Sequence, residues 1–159
     1  MLRVLIADDE SKVCQLIEKL VDWGALGMEV VAVAENGIEA LEKIKEFYPD
    51  IVITDIRMPG YDGLDLIRLG KEEAPNTEFV IISGYRHFEY AQMAIRYGVN
   101  AYLLKPIRKD ELTETLKRLS AHFKEQTEQL SLEEKRQRAI RSDEKNLRQA
   151  FLQDLVGRR

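Results

Sequence analysis

Five short runs rich in Val, Ile and other apolar residues constrain the fold of this 159-residue chain more than any other feature: Val4–Ala7, Val30–Ala34, Ile51–Thr54, Phe79–Ile82 and Ala101–Leu104. Each is continuously apolar rather than alternating, which is the pattern of strands covered on both faces in a parallel sheet. Between them, Glu10–Val21, Gly37–Phe47, Leu64–Glu73 and Phe88–Tyr97 carry apolar residues at spacings of three and four, and a fifth helix is predicted to begin near Lys109. Strand and helix thus alternate. With right-handed crossovers, the expected architecture is an α/β, doubly wound (βα)5 three-layer sandwich on a five-stranded parallel sheet. Ligands of such sheets sit at the carboxyl ends of the strands, near the point where strand order reverses.

Punctuation by proline and glycine stops abruptly, since residues 107–156 contain neither. This predicts a compact domain over 1–120 and a helical segment over 121–159, a size that also suits one core plus an appendage. From Leu112, alternating steps of four and three reach residues 116, 119, 123, 126, 130, 133, 137, 140, 144, 147 and 151. Gln126, Glu133, Gln137 and Glu144 interrupt that seam, so a dimerising coiled coil and a solvated helix both remain open for 124–145. Leu147, Phe151, Leu152, Leu155 and Val156 form a more apolar stripe, for which partner contact or dimerisation is expected.

A single cysteine, Cys14, excludes an intrachain disulfide and a thiol metal cluster. The opening MLRVLIADDE turns acidic too soon for a signal peptide or a membrane span, so a soluble, cytoplasmic protein is expected. Net charge is −4, and no segment is basic enough to predict nucleic-acid binding by charge.

Polar residues follow four of the strand candidates: Asp8 and Asp9 after the first, Asp55 after the third, Ser83 after the fourth and Lys105 after the fifth. A parallel sheet would gather them at one edge. Any one alone reads equally well as a cap or turn residue, and the set carries the inference. Three clustered carboxylates repel one another unless a cation joins them, and oxygen-only ligands favour Mg²⁺. A carboxylate beside Mg²⁺ can attack a phosphoryl group, with Lys105 and Ser83 as donors to its oxygens.

The stretches IADDE, ITDIRMPGYDG, IISGY and AYLLKPI, in order over residues 1–120, closely resemble the motifs of bacterial two-component response-regulator receiver (CheY-like) domains. The resemblance implies a flavodoxin-like fold, Asp55 as phosphoacceptor, and Asp9, Asp55 and the Arg57 backbone carbonyl as Mg²⁺ ligands, with Asp8 acting mainly through water. It implies that Ser83 and Lys105 contact the phosphoryl oxygens, that Lys105–Pro106 is a cis peptide, and that Tyr102 is a switch residue coupled to Ser83. DWGALGMEVV and GYRHFEYAQMAIRYGVNAYLLKPI resemble the YesN-type branch, in which an AraC-type DNA-binding domain follows the receiver. That domain is not visible here, and Gly157-Arg158-Arg159 reads as the end of a truncated piece, so DNA would be reached only through an absent domain.

His87 and His122 have no partner at metal or phosphorelay spacing and are expected at exposed helix positions, so the phosphoryl donor would be a sensor histidine kinase in trans. The expected function is a phosphorylation switch controlling transcription. It would catalyse only its own phosphorylation and dephosphorylation, and would form a homodimer through the C-terminal helix or through the fourth helix, fifth strand and fifth helix. Two alternatives compete with this reading. A haloacid-dehalogenase-like phosphatase needs an Asp-x-Asp nucleophile after the first strand, and Asp8-Asp9-Glu10 has the wrong spacing. A phosphate-independent scaffold would not need the full acidic set.

Overall fold

A computed structural model describes the backbone of residues 1–84 and 88–157 and the side chains of 1–84 and 89–140. Strands and helices alternate as β1 (Leu2–Ala7), α1 (Ser11–Leu20), β2 (Met28–Ala34), α2 (Gly37–Phe47), β3 (Ile51–Thr54), α3 (Gly63–Glu73), β4 (Glu78–Ser83), α4 (Phe88–Arg96), β5 (Ala101–Leu104) and α5 (Lys109–Gly157). The five strands pair in parallel in the order β2-β1-β3-β4-β5. This is the doubly wound sheet that the alternation predicts, in the flavodoxin-like order that the resemblance implies.

Side-chain alternation along the strands divides the core. Leu5, Ala7, Val52, Phe79 and Ile81 join one buried cluster with Leu41 and Ile44 of α2, Leu64, Leu66 and Ile67 of α3, and Ala94 of α4. Val4, Ile6, Ile53, Val80 and Ile82 alternate with them and are also buried, as are Cys14 and Ile17 of α1 and Leu112, Leu116 and Leu119 at the start of α5. The first three seam positions of the last helix therefore serve the α/β core.

One expectation needs correction. Continuous apolar sequence suggested burial on both faces for all five strands, and β1, β3 and β4 meet it from Val4, Ile51 and Phe79 onward. Most of β2 and all of β5 are only half-buried or exposed. These are the two edge strands, each flanked on one side only, so solvent reaches their open side. The sequence reading also missed a single 3-10 turn, Gly24–Leu26, which is braced by Trp23 Nε1 donating to the Glu18 carbonyl at 3.0 Å.

Local chemistry fixes where the helices start. Asn36 caps α2 by accepting from the Glu39 amide at 2.7 Å. Asp62 and Asp65 cap α3 reciprocally, each side chain accepting from the other's amide. The chain divides into two compact units, Met1–Ser120 and Ala121–Arg159. In the second, side chains from Lys124 to Ile140 are exposed, including Leu130, Leu132 and Ile140. His87, the stripe Leu147, Phe151, Leu152, Leu155 and Val156, and the ending Arg158-Arg159 lie outside the residues whose side chains are described. Among the described residues no helix is long and apolar enough to cross a membrane.

Candidate functional site

Chain reversal creates the site. From β1 the chain goes first to β2 on one side, then returns to β3 on the other, leaving a crevice at the carboxyl ends of β1 and β3. Ala7 is in register with Thr54, and the Asp55 amide donates to the Ala7 carbonyl at 3.0 Å, so Asp8 and Asp55 leave neighbouring strands at the same level. Ser83 ends β4 opposite Leu104, and the Lys105 amide donates to the Ser83 carbonyl at 2.9 Å. Residues almost a hundred positions apart thereby reach one edge.

Asp8, Asp9 and Asp55 each offer a carboxylate oxygen, and these oxygens lie within 4.8 Å of one another. Asp8 and Asp55 are 2% and 6% exposed, whereas Asp9 faces solvent. The Lys105 ammonium bridges the two buried acids, donating to Asp55 Oδ2 at 2.9 Å and to Asp8 Oδ2 at 3.2 Å. The Lys105–Pro106 peptide is cis. Main-chain donors hold the other oxygens, Ile56 N to Asp55 Oδ1 at 2.7 Å and Glu10 N to Asp8 Oδ1 at 2.9 Å.

The electrostatics follow from this packing. Burial pushes the Asp8 carboxyl up to about 6, with the Asp55 charge adding to the effect and the Glu10 amide and Lys105 opposing it. Burial pulls the Lys105 ammonium down, but its hydrogen bond to Asp55 and the charges of Asp55 and Asp8 outweigh that and leave it raised. Burial also raises the Tyr102 phenol, against the lowering effect of a side-chain hydrogen bond with Ser83. Tyr102 is half-buried, packs against the α2–α4 side of the core and reaches toward Ser83, which is fully buried.

The structure therefore brings together Asp8, Asp9, Asp55 and Lys105, and sets Ser83 and Tyr102 on the adjoining strands β4 and β5. Arg57 lies on the loop leaving β3 with its side chain exposed. Three groups escaped the sequence reading: the amides of Glu10 and Ile56, and the Cys14 thiol, which donates to the Asp8 main-chain carbonyl at 3.6 Å. Main-chain donors have no residue signature, and a helical cysteine reads as core.

An all-oxygen cluster with a single ammonium among three acids is the donor set of a hard divalent cation, and the pocket is able to hold a metal ion. Residues 4–117 match the family described as response regulator receiver domain. The chain belongs to that family. Other receivers and regulators resemble it closely. An uncharacterized transcriptional regulatory protein, YesN of Bacillus subtilis (strain 168), is 41% identical over 126 residues, which is 79% of this chain and 34% of that protein. The transcriptional regulatory protein HptR of Staphylococcus aureus (strain N315) is 36% identical over 129 residues, 81% of this chain and 50% of that protein. The receiver domain of AraT, a response regulator from Geobacillus stearothermophilus, superposes with a TM-score of 0.76 at 40% identity, covering 79% of this chain and 98% of that one. The chain thus spans between a third and a half of these two curated relatives. As a receiver of two-component response regulators related to transcriptional regulators, it gives no support to the phosphatase or scaffold alternatives.

Proposed function

We infer that this receiver takes a phosphoryl group on Asp55 from a sensor histidine kinase, with Mg²⁺ held by Asp9, Asp55 and the Arg57 carbonyl and by Asp8 through water. Mg²⁺, when bound, supplies charge that stabilises the transferring phosphoryl oxygens. The Asp55 carboxylate attacks phosphorus, the phosphorus–nitrogen bond to the donor imidazole breaks, and an acyl phosphate remains on Asp55. Lys105 moves its ammonium from the carboxylates to a phosphoryl oxygen, and Ser83 donates its hydroxyl to another. Hydrolysis of the same acyl phosphate resets the protein, which turns over no other substrate.

The observation that carries this reading is the Lys105 ammonium shared between Asp55 and Asp8 at 2.9 and 3.2 Å beside the exposed Asp9. The Ser83–Tyr102 hydrogen bond supports a switch in which the hydroxyl drawn to the phosphoryl group lets Tyr102 settle inward. The α4–β5–α5 face would then change its partner affinity. Residues 1–120 are the receiver and 121–159 the helical linker, which dimerises through its apolar positions and controls a DNA-binding domain beyond this chain, in the cytoplasm. Incubation with acetyl phosphate tests the reading by intact-protein mass. One phosphoryl group should appear with Mg²⁺, none with EDTA, and none in Asp55→Asn; labelling that survives in the variant overturns the assignment.

A further inference from the structure

The loop that leaves Asp55 is gripped from two sides by glycines. At its far end, the Gly63 amide donates to the Ile56 carbonyl at 2.6 Å, and a Cβ on Gly63 would collide with the Asp55 carbonyl oxygen. On its flank stands the first turn of α2. The Gly37 amide donates to the Pro59 carbonyl at 3.0 Å, and a Cβ on Gly37 would overlap the Tyr61 carbonyl group. Ile38 leans on the same turn: a Cβ on Gly60, whose φ is +82°, would fall 2.8 Å from Ile38 Cγ1. Ile38 is nevertheless 52% exposed, so its contact with the loop is not the by-product of deep core burial.

At Gly37 and Gly63 the approach is backbone against backbone, which leaves little room for small adjustment. Asn36 caps α2 and Ala40, Leu41 and Ile44 bury it, so the helix start is a fixed wall. The loop between that wall and β3 contains Arg57, two positions before Pro59. Anything that pushes Pro59–Tyr61 outward therefore displaces the segment whose carbonyl is assigned to the cation.

We propose that the N-terminal turn of α2, Gly37 with Ile38, is a positioning element that sets divalent-cation affinity by holding the loop after Asp55 in place. This rests on the magnesium reading of the acidic pocket. Neither residue belongs to the acids, the hydroxyl or the ammonium of the pocket. They act through the Pro59–Tyr61 turn, as outer supports of metal sites do.

Gly37→Ala is the direct test. Alanine suits a first helical turn better than glycine, so α2 keeps its shape and the loop must give way. Titration calorimetry with MgCl₂ on the unphosphorylated full chain, beside thermal unfolding without metal, separates the roles. The expected result is a rise of about tenfold in Kd for Mg²⁺, the low end of what lost outer support costs a metal site. Ile38→Ala should weaken binding in the same direction by less, and it decides the matter should Gly37→Ala not fold. Variants that melt lower yet bind Mg²⁺ as the natural sequence does would overturn the positioning role. Natural-sequence protein that binds no Mg²⁺ would overturn the site reading itself, and this inference with it.

Discussion

α3 and α4 pack against each other over the same buried cluster, yet they are held by very different means. α3 begins in a reciprocal cap, buries Leu64, Leu66 and Ile67, and brings Gly70 against the Phe79 ring. Among the described side chains of α4, Ala94 alone is fully buried, while Met93 and Ile95 are 40% and 71% exposed. Its far end is tied by Lys71 of α3, whose ammonium donates to the Gly98 carbonyl at 2.9 Å across an exposed surface. The sheet shows the same division. Ile53 lies in the apolar middle of β3, whereas two residues later the chain buries a carboxylate. Stability is concentrated in α2, α3 and the strand interiors, whereas α4 is lightly anchored and the acidic pocket carries costly buried charge. The shifting face of the proposed switch, which includes α4, draws on the second group.

Three substitutions test this contrast. The largest effect belongs to Leu66→Ala, which empties a fully buried site in α3 and should cost about 2–5 kcal/mol in urea unfolding. A loss below about 1 kcal/mol would mean that α3 is no anchor.

An intermediate effect belongs to Asp8→Asn, and its sign depends on pH. The folded Asp8 carboxyl titrates near 6 against an ordinary 3.8, so the folded state holds the proton more tightly and the ionised form is destabilising. Without divalent cations, the variant should be more stable than the natural sequence by about 1–3 kcal/mol above pH 6. That advantage should shrink as pH falls from about 6 and vanish only below the ordinary 3.8, where Asp8 becomes protonated in both states. A variant less stable at pH 7.5 would show that Lys105 more than offsets the burial of Asp8.

The smallest effect belongs to Ile95→Ala on the exposed side of α4, within about 0.5 kcal/mol of the natural sequence. In the same samples, amide exchange should be faster along α4 than along α3; equal protection would erase the contrast.

The sequence predicts most of these elements because each apolar run is short and bounded by Gly, Pro or acidic residues. Leu64–Glu73 and Gly63–Glu73, expected and observed, differ by one capped residue. Strand order within the sheet is less legible from composition: β2 and β5 look as apolar as β1 and β3, and only pairing makes them edges. Leu112, Leu116 and Leu119 satisfy a coiled-coil repeat and a domain core equally well, because both demand the same spacing. At the pocket, side-chain chemistry at strand ends is visible as letters. The amides of Glu10 and Ile56, and the close passage of Gly37 beside Tyr61, depend on main-chain geometry, which no letter encodes.

Lys105 already occupies the space between Asp55 and Asp8, and this changes what an arriving cation meets. The resting pocket is not a bare negative hollow but one with its own tethered positive group on a long, pliable stem. On the proposed reading, entry of a divalent ion would be an exchange of partners, in which the ammonium withdraws without leaving the protein. A lysine displaced in that way would stay within reach as a donor for an anion bound beside the cation.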